Sequence, residues 1–231
     1  MVILNGMTSA SGALRYWERR QELTANNLAN VSTDGFKAER SFGSLINGTP
    51  VVGSHIDRRA GNIRPTGESM DVALGSDGFL VVDTPAGERF SRGGRLQLDG
   101  DGFLTDGGGH QVLGRGGPIQ IGKGKLVIDR EGNISVDGRR VDQLRVESAP
   151  AGATLAHEGG NLLVPDSVQT LVPADERDIR QGAIEDSNVD SLGGLVDMIS
   201  VQRAYAAVEK SISVLDHVRE TATSQLGKPA A

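Results

Sequence analysis

SNVDSLGGLVDMISVQRAYAAVEKSISVLDHVRETATSQL, residues 187–226, is the stretch whose reading decides the fold. At helical spacing Met198, Val201, Tyr205, Val208, Ile212, Leu215, Ala222 and Leu226 recur at steps alternating three and four, and only Arg219 interrupts the series. This is a heptad stripe with no Pro or Gly inside it. Upstream, Val189, Leu192, Val196 and Ile199 form a second stripe, offset from the first. Such a change of phase rotates the buried face along the helix, as a stutter does. Asp186, Ser187 and Asn188 supply N-cap chemistry, and Gly227, Lys228 and Pro229 supply the stop. The pattern predicts one capped helix of about 35 to 40 residues, against a usual ~11. A narrow apolar stripe on so long a helix needs a partner helix, from the same chain or from a copy of it.

The other end of the chain offers that partner. Residues 7–31 read as a helix with Met7, Leu14 and Leu28 (with Gln21) at one heptad position. Ala10, Trp17 and Val31 (with Thr24) mark another. Ser9 or Ser11 is placed to cap it, and Gly12 weakens its first turn by roughly 1 kcal/mol relative to Ala. Asn26, Asn27 and Asn30 crowd its end, although Asn competes with the helix for backbone hydrogen bonds. They are either surface polarity with a C-terminal Asn cap, or Asn26 and Asn27 bridge a helix–helix contact and fix its register. Ser32-Thr-Asp-Gly-Phe36 is then a turn, with Asp34-Gly35 suited to positive φ and Phe36 an apolar anchor beyond it.

Between the helices the composition changes. Most of the 32 glycines lie there, and aromatic residues are only 3% of the chain. Residues 38–65 show little periodicity and read as a connector or extended arm, with a turn at Asn47-Gly48-Thr49-Pro50 and a strand beginning at Val51-Val52. From Thr66 short apolar runs such as Met70–Leu74, Phe79–Asp83, Lys125–Ile128 and Asn133–Val136 alternate with Gly-rich turns. Short strands at spacings of about 8 to 12 residues predict an antiparallel sandwich or barrel-like domain. The expected fold class is therefore α+β. Residues 1–37 and 187–231 form paired, coiled-coil-like terminal helices, 38–65 a connector, and 66–186 an inserted all-β domain.

Most chemical functions are excluded by the residues present. The 231-residue chain has no Cys, hence no disulfide, thiolate metal site or thiol nucleophile. Its net charge of −6 is spread through interleaved acids and bases, which argues against nucleic-acid or anionic-membrane partners. No apolar run is long enough to span a bilayer, and residues 1–13 lack the basic and apolar regions of a secretory signal. Gly117–Lys123 matches the front of a phosphate-binding loop, but Gly124 replaces the hydroxyl residue and a strand follows instead of a helix. Asp99, Asp101 and Asp106 lack EF-hand spacing and read as hairpin turns. The four His residues (55, 110, 157 and 217) stand singly, without ligand spacing. No catalytic, cofactor or metal site is expected.

Several of these segments carry a resemblance. Ala25-Asn-Asn-Leu-Ala-Asn30 with Val31-Ser-Thr-Asp-Gly-Phe-Lys37 resembles the N-terminal signature of the bacterial flagellar rod and hook proteins. Met70-Asp-Val-Ala73, Asp77-Gly-Phe79, Phe90-Ser-Arg92 and Gly116-Gly-Pro-Ile119 resemble successive strands of that family's middle domain. Ser187-Asn-Val189 and Asp197–Tyr205 resemble its C-terminal helix. The resemblance covers nearly the whole chain outside residues 38–65, and the short connector is most like that of a proximal rod component.

The resemblance implies a structural subunit of the basal-body rod, the axial shaft that crosses the periplasm and transmits torque. It implies export through the flagellar type III apparatus without a cleavable signal, and neighbouring rod subunits, the distal rod protein included, as partners. The stripes and the resemblance together place a helix-pair and polymerisation interface. Its N-terminal side comprises Leu14, Trp17, Asn26, Asn27, Leu28, Asn30 and Phe36. Its C-terminal side comprises Asn188, Val189, Met198, Ile199, Val201, Gln202, Tyr205, Val208, Ile212 and Leu215. The alternatives are the distal rod paralogue, or a non-flagellar β-domain binding module with a coiled-coil dimerisation tail.

Overall fold

A computed structural model gives the fold of residues 2–46, 49–150, 152–166 and 169–226. Helix α1 spans Val2–Ala29 and helix α2 spans Ser191–Leu226. The strands between them are β1 (Glu39–Ile46), β2 (Thr49–Ile56), β3 (Ile63–Pro65), β4 (Asp71–Leu74), β5 (Phe79–Thr84), β6 (Gly87–Ser91) and β7 (Gly93–Arg95). They continue as β8 (Gln97–Leu98), β9 (Leu104–Thr105), β10 (Gln111–Gly114), β11 (Gly117–Pro118), β12 (Leu126–Ile128), β13 (Asn133–Val136) and β14 (Arg139–Gln143). The last are β15 (Val146–Ser148), β16 (Leu155–Gly159), β17 (Leu162–Pro165), β18 (Thr170–Leu171), β19 (Ile179–Gln181) and β20 (Ala183–Glu185). Among the described residues the pairings of β3 to β20 are antiparallel, as the turn-rich sequence predicts.

The chain divides into two compact units. The first comprises Met1–Leu28, Arg40–Ser54 and Asp190–Ala231; the second comprises Ala29–Glu39 and His55–Val189. This division differs from the expected segments. The stretch read as a connector contains the β1–β2 hairpin, most of which belongs with the helices, while residues 29–39 and 187–189 belong with the strands. The Asn47-Gly48 pair of the expected turn and the Gly227 stop lie outside the described residues.

In the β unit, β5 is the central strand. It pairs with β6 (Leu80↔Ser91), β10 (Val82↔Val112) and β15 (Leu80↔Val146). Because successive strand side chains point to opposite faces, its apolar run buries both of them. Leu80 and Val82 enter one cluster with Leu104, Val112, Ile134 and Leu144, while Phe79 and Val81 enter another with Phe90 and Leu163. Phe79 and Phe90 stack with centroids 5.0 Å apart. Burying each such side chain contributes roughly 1.5–3 kcal/mol.

Within the helical unit, α1 and α2 run antiparallel. A methyl placed on Gly194 would lie 2.9 Å from Leu28 Cδ2, and one on Gly6 would lie 3.9 Å from Leu215 Cδ1. The less exposed residues of α2 are Gly193, Gly194, Met198, Val201, Ala204, Tyr205, Val208, Ile212 and Leu215, which include the sequence stripe from Met198 to Leu215, whereas Ala222 is exposed. Val201 is fully buried. The cap differs from the expected one, because Asp190, not residues 186–188, starts α2. Its Oδ1 accepts from Gly193 N at 3.0 Å, and its carbonyl accepts from Gly194 N at 2.9 Å. The reason is that Asn188 is engaged elsewhere. Likewise α1 begins before Ser9 and Ser11, which lie inside it and do not cap it.

Candidate functional site: a buried ion cluster that anchors both chain ends

Where α1 ends, Thr33 N donates to the Asn30 carbonyl (3.1 Å) and Thr33 Oγ1 to Asn30 Oδ1 (3.1 Å), closing a turn. Gly35 follows with φ +70°, and a methyl there would lie 2.9 Å from Arg92 Cβ. Backbone conformation and close approach both demand glycine at this point. Gly35 N donates to the Glu185 carbonyl at 2.7 Å, which lays the segment after α1 along the segment that precedes α2.

The next residues turn inward. Phe36 is buried and stacks on His157, with centroids 4.6 Å apart and planes within 4°. Lys37 Nζ donates to Glu185 Oε1 at 2.6 Å and to the Arg59 carbonyl at 2.8 Å. Arg92 Nε donates to the other carboxylate oxygen of Glu185 at 2.8 Å. The rest of the Arg92 guanidinium is used by the carbonyls of Leu74 (2.7 Å), Ser76 (2.9 Å) and Gly78. Gly61 N adds a further donor to Glu185 at 2.7 Å. The Lys37, Arg92 and Glu185 side chains are each no more than 2% exposed. Burial pushes the Lys37 ammonium down from its ordinary range, Arg92 adds to this, and Glu185 and Asp57 act against it. Buried charges are tolerated only when paired and hydrogen-bonded, and here each one is.

Asn188 completes the anchor. Its Nδ2 donates to the carbonyls of Asp57 and Arg59, both at 2.8 Å, and its Oδ1 accepts from Ala38 N at 2.6 Å. Three segments far apart in sequence therefore meet on one amide. His157 Nε2 lies 2.8 Å from the Lys37 carbonyl and must donate to it, which leaves Nδ1 as the unprotonated nitrogen. That Nδ1 is buried with no hydrogen-bond partner among the described residues. Burial lowers the His157 pKa, although the bond to the Lys37 carbonyl and the Glu39 charge act the other way.

The predicted interface residues separate into three groups. Leu14, Trp17, Leu28, Met198, Val201, Tyr205, Val208, Ile212 and Leu215 are at least partly covered within the helical unit, as is Asn27. Asn26, Ile199 and Gln202 are exposed. Asn30, Phe36, Asn188 and Val189 lie in the β unit, where Phe36 and Asn188 hold chain segments on the strands and Asn30 closes its turn. Sequence reasoning missed Glu185, Arg92 and His157. The only signal for the first two was a charged residue ending a short strand run, at Phe90-Ser-Arg92 and Ala183-Ile-Glu185.

The acidic turns are self-contained. Asp99 Oδ1 accepts from the amides of Asp101 and Phe103, and Asp106 Oδ1 from those of Gly108 and His110. Asp129 repeats the device with Glu131 and Asn133. Gly102, Gly109 and Gly132, three residues on in each case, have φ near +85° (83°, 83° and 86°). Among the described residues no group of three or more His, Asp or Glu side chains is placed to hold a metal ion, and no helix is long and apolar enough to cross a membrane.

Comparison with known proteins matches three segments of the chain. Residues 7–37 match the family described as flagella basal body rod protein. Residues 73–136 match the flagellar hook protein FlgE/F/G D1 domain, and residues 180–226 the C-terminal region of the flagellar basal body rod FlgEFG proteins. The flagellar basal-body rod protein FlgF of Escherichia coli is 30% identical over 90% of this chain and 92% of its own length. The chain belongs to the flagellar basal-body rod protein family. FlgF of Caulobacter vibrioides is 29% identical over 91% of this chain and 93% of its own, and FlgG of Bacillus subtilis is 25% identical over 94% and 97%. These relatives are structural rod proteins and not enzymes, and among them the FlgF type is favoured. Membership of the rod family places the chain in the flagellar basal body, in contact with other rod or hook components.

Proposed function

We propose that this rod-family chain is a proximal-type subunit that polymerises through its helical unit into the periplasmic shaft and carries torque along it. Neighbouring proximal rod proteins and the distal rod protein are its partners, the type III apparatus delivers it, and neither nucleic acid nor membrane insertion is involved. The two helices pair as an antiparallel coiled coil. Continued residue by residue from the Leu28–Gly194 and Gly6–Leu215 approaches, the register brings Leu14 level with Val208 and Trp17 level with Tyr205. Residues 1–37 and 187–231 thus form the polymerisation segments, residues 66–186 the β domain, and 38–65 an arm whose hairpin works with the helices.

The observation that carries this reading is the second face of α2. Leu192, Val196 and Ile199 are 73%, 58% and 51% exposed on the isolated subunit. An apolar row of that size along a helix marks a surface that a neighbour covers. The test is Leu215→Asp, which places a charge on the face turned to α1. The variant is expected to fold its β unit and to be absent from purified basal bodies. Normal incorporation of that variant would overturn the reading. A stable free dimer with ordered helices would favour a β-domain binding module with a dimerisation tail.

A further inference from the structure

Strands β12, β13 and β14 form a three-stranded sheet whose inward residues, Leu126, Ile128, Ile134 and Val136, are buried. Across its other face Val127 is in register with Ser135, and Ser135 with Arg140. Val127 and Val141 are 42% and 44% exposed. Lys123, Lys125, Arg139 and Arg140 are exposed around them, and these four form no ion pair among the described residues. In a chain of net charge −6 this is a local excess of unpaired cations on a rigid apolar base. Strand β14 is the sheet edge, and its arginines, with a register shift between Ile134 and Ser135, oppose addition of another strand. These features leave the face of the sheet, and not its edge, open to contact.

A surface of opposite character lies elsewhere on the same unit. Leu171 is 46% exposed, and Asp175 and Glu176 stand exposed on the short 3-10 helix Ala174–Glu176, with no ion pair among the described residues. The platform is stiff because buried Arg177 donates to the carbonyls of Val172 and Leu144, both at 2.9 Å, and to that of Glu131 at 3.2 Å. Glu131 lies in the turn at the far end of the β12–β13 hairpin from Lys125 and Asp137. A four-residue strand separates the two ends by on the order of 13 Å. Lys125 therefore lies at the far end of the hairpin from Glu131, the residue to which Arg177 ties the acidic corner.

We propose that these patches are the two halves of a head-to-tail contact between copies of this chain. The face bearing Lys125, Val127, Arg140 and Val141 on one subunit seats the corner bearing Leu171, Asp175 and Glu176 of the next. The chemistry on both sides belongs to this chain, with opposite charge at the rim and β-branched and leucine side chains between. Charge complementarity of this kind fixes partner and register more than affinity. Two different patches in contact give a heterologous interface, which links successive copies head to tail into a ring or an open helical row according to the rotation between them. The inference rests on the rod reading and adds a second contact, made by the β unit, to the one made by the helices.

The chain has no cysteine, so introduced pairs report cleanly. Basal bodies are purified from cells carrying Val127→Cys, Leu171→Cys or both, oxidised, and run without reductant. The double variant is expected to give a ladder of dimers and longer oligomers, and each single variant to remain monomeric. Adding Lys125→Glu with Arg140→Glu should cut the ladder at least tenfold, and further adding Asp175→Lys with Glu176→Lys should restore it. Thermal melting of each variant confirms that the exposed substitutions leave the fold intact. A chain that is present but monomeric, cross-linked only within itself, or cross-linked to another protein overturns the docking pair and leaves the rod reading standing. Absence of the unsubstituted chain from basal bodies would instead overturn the rod reading.

Discussion

Glu185 is the residue on which the anchor depends. It meets two cations and a backbone amide at 2.6–2.8 Å in a site closed to water. Glu185→Ala would leave Lys37 and Arg92 buried without their counter-charge, so a loss of about 3–5 kcal/mol in denaturant stability is expected. Arg59→Ala removes an ion pair whose arginine is 73% exposed and screened by water, and should change stability far less. Equal losses in the two variants would show that burial of the cluster contributes nothing. His157 gives a pH signature. Its folded pKa is lowered, so the unfolded chain binds the proton more tightly and stability rises with pH. Stability should be full above about pH 6.5, the ordinary imidazole value, and fall as the pH drops below it. His157→Phe, which keeps a ring on Phe36, should flatten that part of the curve in urea titrations between pH 5 and 8. None of this was legible in the sequence. Glu185 lies 148 residues from Lys37 and 93 from Arg92, and isolated charged residues ordinarily signal surface.

At the scale of elements the sequence was legible wherever one face of an element is buried. The α2 stripe and the strand β5 follow directly from the periods 3.6 and 2, and Asp34-Gly35 and Asp99–Gly102 from turn chemistry. Of the β1–β2 hairpin only β2 was signalled, by Val51-Val52, because a two-stranded ribbon has no sheet face to bury and so shows no clean alternation. The start of α2 was misread for a related reason: three residues offered cap chemistry, and only tertiary contacts assign Asn188 to the anchor and Asp190 to the cap. Asp190→Ala should cost about 1 kcal/mol and speed amide exchange at Gly193, whereas Asn188→Ala should destabilise the β unit. Two otherwise similar turns separate conformation from packing. Gly109 and Gly132 both have positive φ, but a methyl at Gly109 meets open space and one at Gly132 lies 2.8 Å from Ile179 Cδ1. Gly109→Ala should cost about 1–2 kcal/mol and Gly132→Ala measurably more, because only the second adds overpacking.

For the molecule as a whole, the two units are built on different energetics. The β unit closes two apolar clusters and a hydrogen-bonded ion cluster, whereas the helices leave Leu192, Leu195, Val196, Ile199, Val214 and Val218 at least 50% exposed. Local opening costs least where few apolar contacts cover the backbone, so the units must differ in exchange protection. Amides of β4, β5 and β10 are expected to exchange only through global unfolding. Those of residues 191–226 should exchange by fraying, at least about tenfold faster in the purified chain. The same α2 amides should become protected once neighbouring subunits cover the exposed row, since a segment that orders on association gains its stability from the partner. Hydrogen exchange on the free chain and on purified basal bodies measures both quantities. Equal protection of α2 and β5 in the free chain would mean that the helices are already complete alone, and the exposed row would then need another explanation.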